Sequence, residues 1–76
     1  MKDILEVVIK NLVDNQDEVS INEKVEAKSI CYEVKVAKED MGKVIGKQGK
    51  MAKAIRSIMK AIATREHKKV NVEFLD

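Results

Sequence analysis

The sequence holds a single cysteine, a single histidine, one Tyr, one Phe, three glycines, and neither proline nor tryptophan. Cys31 alone excludes a disulfide framework and any zinc site built from several cysteines. His67 alone excludes a histidine-rich metal centre. No nucleophile–base arrangement can be argued from one His and one strand Cys, and no motif pairs the carboxylates. A non-enzyme with no cofactor, no metal and no small-molecule substrate is therefore expected. Two aromatics are too few for binding by base stacking, and both fit strand parity as core residues. No apolar run approaches the roughly 18 residues of a membrane span. Met1-Lys2-Asp3-Ile4-Leu5-Glu6 places acids where a signal peptide needs an apolar stretch. These absences lead to an expected soluble protein of the reducing cytoplasm, with no membrane partner.

What is present is 45% hydrophobic and 37% charged over 76 residues, a globular composition for one domain, residues 1–76. A chain this short buries only about 60% of its unfolded surface, so a partner subunit would help its marginal core. The net charge of +2 hides an asymmetry. Residues 1–34 carry four Lys against eight acids, residues 35–69 carry eleven Lys and Arg against three acids, and residues 70–76 carry two acids. A basic block on an otherwise acidic chain suits a polyanion-binding face, or else a solvated helix face.

Hydrophobic spacing predicts the elements. Ile4, Val8 and Leu12, with Leu5, Ile9 and Val13 beside them, predict a helix over residues 2–14. Val19, Ile21 and Val25 share one parity in a strand over 18–25. Ile30, Tyr32, Val34 and Val36 alternate with Cys31, Glu33 and Lys35 in a strand over 29–37. Glu39-Asp40-Met41 opens a short helix to Ile45, with acids in its first turn. A long helix follows over 50–65, and Val70, Val72 and Phe74 mark a strand over 69–75. His67, at the end of the long helix, is placed to interact with its dipole. The order α-β-β-α-α-β is most economically an α+β fold, a three-stranded sheet with helices on one face.

The informative segment is Val44-Ile45-Gly46-Lys47-Gln48-Gly49-Lys50. Two glycines three apart, between two helical patterns, make the chain turn sharply. The next helix then presents free N–H groups and a partial positive charge, an anion site most simply filled by phosphate. Lys47 and Lys50 add full charges, and Lys43, Lys53 and Arg56 extend them. Val44 and Ile45 offer an apolar surface beside the clamp. The alternative is a helix–turn–helix corner with Gly as breaker. Other phosphate loops fail: Gly42, Gly46 and Gly49 are spaced four and three, which fits neither a Walker A loop nor G-x-G-x-x-G.

Together, the loop, its lysines and the element order resemble a KH domain, whose GXXG loop clamps about four nucleotides of backbone. The order is that of the type II KH fold, which implies a mixed sheet. Length, N-terminal helix, the loop and Ala54-Ile55-Arg56 are similar to the small bacterial single-KH proteins of the KhpA family. Two departures stand out. Ala52 occupies a position usually branched and apolar, with Met51 as a candidate to restore the volume. Asn15-Gln16-Asp17 replaces a turn that often holds proline. The resemblance implies a single-stranded RNA-binding protein of low sequence specificity, a post-transcriptional regulator or RNA chaperone. Its RNA-binding residues would be Gly46, Lys47, Gln48, Gly49, Lys50, Lys43, Val44, Ile45, Lys53 and Arg56. Val34 and Val36 would complete the base groove.

The long helix has more apolar surface than one stripe needs. Met51, Ile55, Ile58 and Ile62 form one row, and Ala52, Met59 and Ala63 another. Either a single broad face covers the sheet, or a second face meets a partner. The family resemblance implies self-association through this helix and pairing with a larger KH-containing protein. The interface residues would be Ile58, Met59, Ile62 and Met51. In the alternative reading the chain is chiefly such an interaction module, with RNA binding secondary. Action on the ribosome is a third reading. The initiating Met1 and the lack of a basic tail favour an independent regulator.

Overall fold

Alternation in the middle of the chain produces the central strand of the sheet. In the computed structural model, which describes residues 1–75, β1 (Ser20–Val25), β2 (Ser29–Lys35) and β3 (Lys69–Leu75) lie in the order β1-β2-β3. β1 is antiparallel to β2, with Ile21 opposite Val34; β2 is parallel to β3, with Tyr32 opposite Val72. A parallel pair needs a long crossover. Here α2 (Met41–Ile45) and α3 (Lys50–Arg65) supply it, and α1 (Lys2–Leu12) joins them on the core side of the sheet. The expected α+β architecture and mixed sheet are found.

The core is the sheet's inner parity, Ile21, Ile30, Tyr32, Val34 and Val72, meeting Leu5 and Ile9 of α1, Val44 of α2, and Ile55 and Met59 of α3. Tyr32 is fully buried, and burial is the first cause pushing its phenol pKa well above the ordinary range. It packs in the core, as its parity predicts.

Three boundaries differ from the sequence expectation, each for a local reason. The first helix stops at Leu12, not at residue 14, and Val13 is extended but still buried. β1 starts at Ser20, because the N–H groups of Glu18 and Val19 donate to the carbonyls of Asn15 and Gln16 and hold residues 16–18 in a 3-10 turn. β2 ends at Lys35, and Val36 and Ala37 pack as irregular chain.

The end of α1 is explained by Asp40. Its carboxylate is buried and accepts the main-chain N–H groups of Asp14 at 3.3 Å and Asn15 at 3.0 Å. It also accepts the Asn15 side-chain amide at 3.0 Å. An acid expected to decorate a helix start instead ties the α1–β1 connection to α2. The Asn15 N–H is the first cause holding the Asp40 carboxyl below the ordinary carboxylate range, against the burial that opposes it. A carboxyl whose pKa is lowered by folding contributes stability above its unfolded value, 3.8, and loses it as pH falls through the folded value. Acidification below pH 3.8 is therefore expected to lower the melting temperature more steeply in wild type than in Asp40→Asn, measured by circular dichroism.

At the far end of α3, the His67 N–H donates to the Thr64 carbonyl at 3.1 Å and the Lys68 N–H to Ala63 at 2.9 Å. With His67 at φ 58, this is a Schellman stop in which His takes the left-handed place usually held by glycine.

Candidate nucleic-acid interface

The loop between α2 and α3 has the backbone that its two glycines permit. Gly46 sits at φ 75, ψ 177, a region almost closed to other residues. A side chain there would also collide with the start of α3, since a Cβ would lie 2.8 Å from Met51 Cβ and 2.9 Å from Met51 N. Gly49 is left-handed at φ 75, ψ 13 but faces open space. Between them Gln48 is also left-handed, at φ 56, ψ 26. Lys47, Gln48 and Lys50 are exposed, and Ile45 is half-buried behind them. Among the described residues no side chain caps α3, a helix of 16 residues; the N–H groups of Gly49 and Lys50 donate to the carbonyls of Gly46 and Lys47, and the helix start lies beside the side chains of Lys47 and Lys50. Lys53, one turn further, is exposed as well.

Four residues expected at this site, Val44, Val34, Lys43 and Arg56, are buried or engaged with other groups. Val44 is fully buried in the core, so it supports the loop from beneath and offers bases no surface. Val34 is likewise fully buried, and only Val36 and Ile45 keep partial exposure. Lys43 is engaged. Its ammonium pairs with the Asp14 carboxylate and lies 3.5 Å from Asp40, and the Asp14 hydrogen bond is the first cause raising its pKa. The Lys43 partner was not visible in the sequence, because Asp14 lies 29 residues away.

Arg56 is displaced along α3 to the edge of β3. Its Nε donates to the Val72 carbonyl at 3.0 Å, and its guanidinium lies 5.5 Å from the centre of the Phe74 ring. Below it, between α3 and β3, are two adjoining clefts of about 350 and 410 Å³. They bring Lys60, Lys68 and Lys69 to one surface. Those lysines were legible only as part of the basic block.

The rows of α3 also sort differently from expectation. The buried stripe is Ala52, Ile55, Met59 and Ala63, at intervals of three and four. Ile55 therefore belongs with the core row. Met59, expected at an interface, is 1% exposed and is core. Met51 and Ile58 stand out at 36% and 47% exposed, and Ile62 is half-buried against the core. Exposed Met51 does not take the core place beside Ala52, so it does not restore the volume that a branched residue would fill. By helical spacing, Met51 and Ile58 lie on one flank of the buried stripe, and Arg56 and Lys60 on the other.

Comparison with known proteins fits this geometry. A family model described as KhpA/KhpB, KH domain, matches residues 2–74. Proteins called RNA-binding protein KhpA from Clostridium perfringens and Clostridium acetobutylicum are 53% and 56% identical over 75 residues, spanning 99% of this chain and 100% of each relative. The Listeria monocytogenes protein of the same name is 40% identical over 76 residues, 100% of both chains. No solved structure gives a significant match. A glycine-built loop on an α-β-β-α-α-β frame, matched from end to end by such relatives, places this chain in the KhpA/KhpB KH-domain family.

Proposed function

We propose that this protein binds single-stranded RNA by clamping phosphates on the Gly46–Gly49 backbone and the N-terminus of α3. The observation that carries the reading is the loop itself. Its left-handed backbone at Gln48 and Gly49 leads straight into the uncapped start of a long helix, with Lys47, Lys50 and Lys53 exposed around it. Phosphate is the ligand such a helix start favours. The names of the relatives supply the nucleic acid, and the scarcity of aromatics fits a groove that does not depend on stacking. Ile45 and Val36 are the aliphatic side chains left to meet bases. Lys43 joins when a phosphate displaces the exposed Asp14, because exposed ion pairs contribute little to hold it. One such groove reads about four nucleotides, so specificity is low. That suits a post-transcriptional regulator or RNA chaperone in the cytoplasm.

Neutralising about 3–5 phosphates gives a log–log salt slope of roughly −2 to −3.5 for a single strand. Titrating a short labelled mixed-sequence RNA that carries at least that many phosphates, at several salt concentrations, measures it. A slope near zero would overturn the electrostatic clamp.

A second reading is favoured by the exposed Met51 and Ile58. It makes α3 a pairing surface, for a second copy or for a larger KH-containing protein, with RNA binding secondary. Pairing would also raise the effective affinity of two weak grooves. Ile58→Asp is expected to convert a dimer to monomer by analytical ultracentrifugation, with an unchanged circular dichroism spectrum and unchanged RNA contact at the loop. A wild-type monomer at micromolar concentration would remove the homodimer form of this reading.

A further inference from the structure

Lys43 is the one lysine expected at the clamp that the fold pairs with carboxylates. Among the described residues, Lys47, Lys50 and Lys53 make no ion pair, whereas Lys43 makes two. The two carboxylates differ. Asp40 is buried and already accepts the N–H groups of Asp14 and Asn15 and the Asn15 side-chain amide. Asp14 has 80% of its side chain exposed and accepts from the Lys43 ammonium. Lys43 lies on α2, three residues before Gly46, with 44% of its side chain exposed, so ions from solvent reach it.

The main chain fixes Asp14 beside Lys43. Asp40 holds the Asp14 and Asn15 N–H groups, and the Asn15 amide also donates to Glu39 at 2.8 Å. The Glu18 and Val19 N–H groups close the turn behind them, 3.0 and 3.2 Å from the Asn15 and Gln16 carbonyls. A carboxylate on a turn already fixed pairs at little further cost in backbone ordering. Asp17 and Glu18 of the same turn are exposed and, among the described residues, pair with no cation. The contact is therefore particular to Asp14 and not a general property of the turn's charge.

We infer that Asp14 sets the affinity of the clamp: it occupies Lys43 in the free protein, and RNA gains the Lys43 contact only by exchanging a phosphate for the Asp14 carboxylate. The inference rests on the clamp reading above and goes beyond it, because it assigns an acid of the α1–β1 connection to the control of RNA binding. The exchange replaces one ion pair by another, so Lys43 adds little net affinity in wild type. With Asp14 neutralised, the whole Lys43–phosphate contact counts. The pair is exposed, so the gain is about two- to fivefold in affinity.

Fluorescence anisotropy with a short labelled mixed-sequence RNA tests this on wild type, Asp14→Asn, Lys43→Gln and the double variant. Asp14→Asn keeps the main-chain N–H that Asp40 accepts, and its side chain is exposed, so its melting temperature should match wild type. Asp14→Ser serves as a second neutral variant. Asp14→Asn should bind about two- to fivefold tighter than wild type. Lys43→Gln should bind close to wild type, and Asp14→Asn/Lys43→Gln no tighter than Lys43→Gln, a coupling that the cycle isolates. Asp14→Glu, which keeps the charge beside Lys43, should bind like wild type. Asp17→Asn, which removes an equal charge from the same turn without touching Lys43, should also bind like wild type. Unchanged affinity in folded Asp14→Asn overturns the inference while the clamp stands. An equal gain after Lys43 is replaced, or from Asp17→Asn, overturns it too, since the turn would then act only through its overall charge. If wild type binds no RNA, the clamp reading fails and takes this inference with it.

Discussion

Replacing Lys47 and Gln48 together by Asp is expected to abolish measurable RNA binding while leaving the fold intact. Lys47 loses a charge-assisted contact of about 1.5–3 kcal/mol. Two carboxylates then face the phosphates at the start of α3. The combined loss is about 100-fold or more in affinity, since each 1.4 kcal/mol is tenfold. The fold survives for a specific reason. Gln48 already adopts a left-handed backbone, and Asp tolerates that region better than most residues. Both side chains are exposed, so no packing is lost. Binding is read by fluorescence anisotropy and folding by circular dichroism and thermal melting. Wild-type affinity in a folded double variant would move the site away from this loop.

The two glycines of the loop are expected to differ sharply when changed to Ala. Gly46→Ala forces a side chain into a backbone region that costs about 1–3 kcal/mol. It also drives a Cβ into the first turn of α3, at overpacking cost of about 1–3 kcal/mol. The total, about 3 kcal/mol, corresponds to a melting-temperature loss of roughly 15 °C in a domain of this size. Gly49→Ala meets open space and carries only the left-handed penalty of about 1 kcal/mol, or roughly 5 °C. Differential scanning calorimetry of the two variants distinguishes them. Equal losses would show that Met51 does not press against Gly46 as described.

Local patterns were legible in the sequence, and long-range pairings were not. The β2 alternation, the α3 length and the Gly46–Gly49 break each arise within a few residues, and each appears where the pattern places it, except that β2 stops at Lys35, two residues short. α1 ends before its apolar spacing does, because Val13 keeps that spacing while Asp40, 25 residues beyond Asn15, takes the Asn15 N–H. Spacing does not separate the apolar rows of α3, because Ile55 and Ile58 are equally apolar, and only the sheet decides which is covered. Val44 illustrates the same limit at the site. It sits beside the glycines in sequence, but the core claims its side chain. Arg56 reads as one more cation after the loop, and only the return of β3 along α3 turns it toward Val72.

The proposed RNA contact is the Gly46–Gly49 loop. Its most direct measurement is the affinity of an RNA of about four nucleotides for wild type and for the Lys47→Asp/Gln48→Asp variant, at low and high salt. Wild type is expected to bind, more weakly as salt rises, and the folded variant not to bind. Salt-independent binding, or equal binding by both proteins, would contradict it.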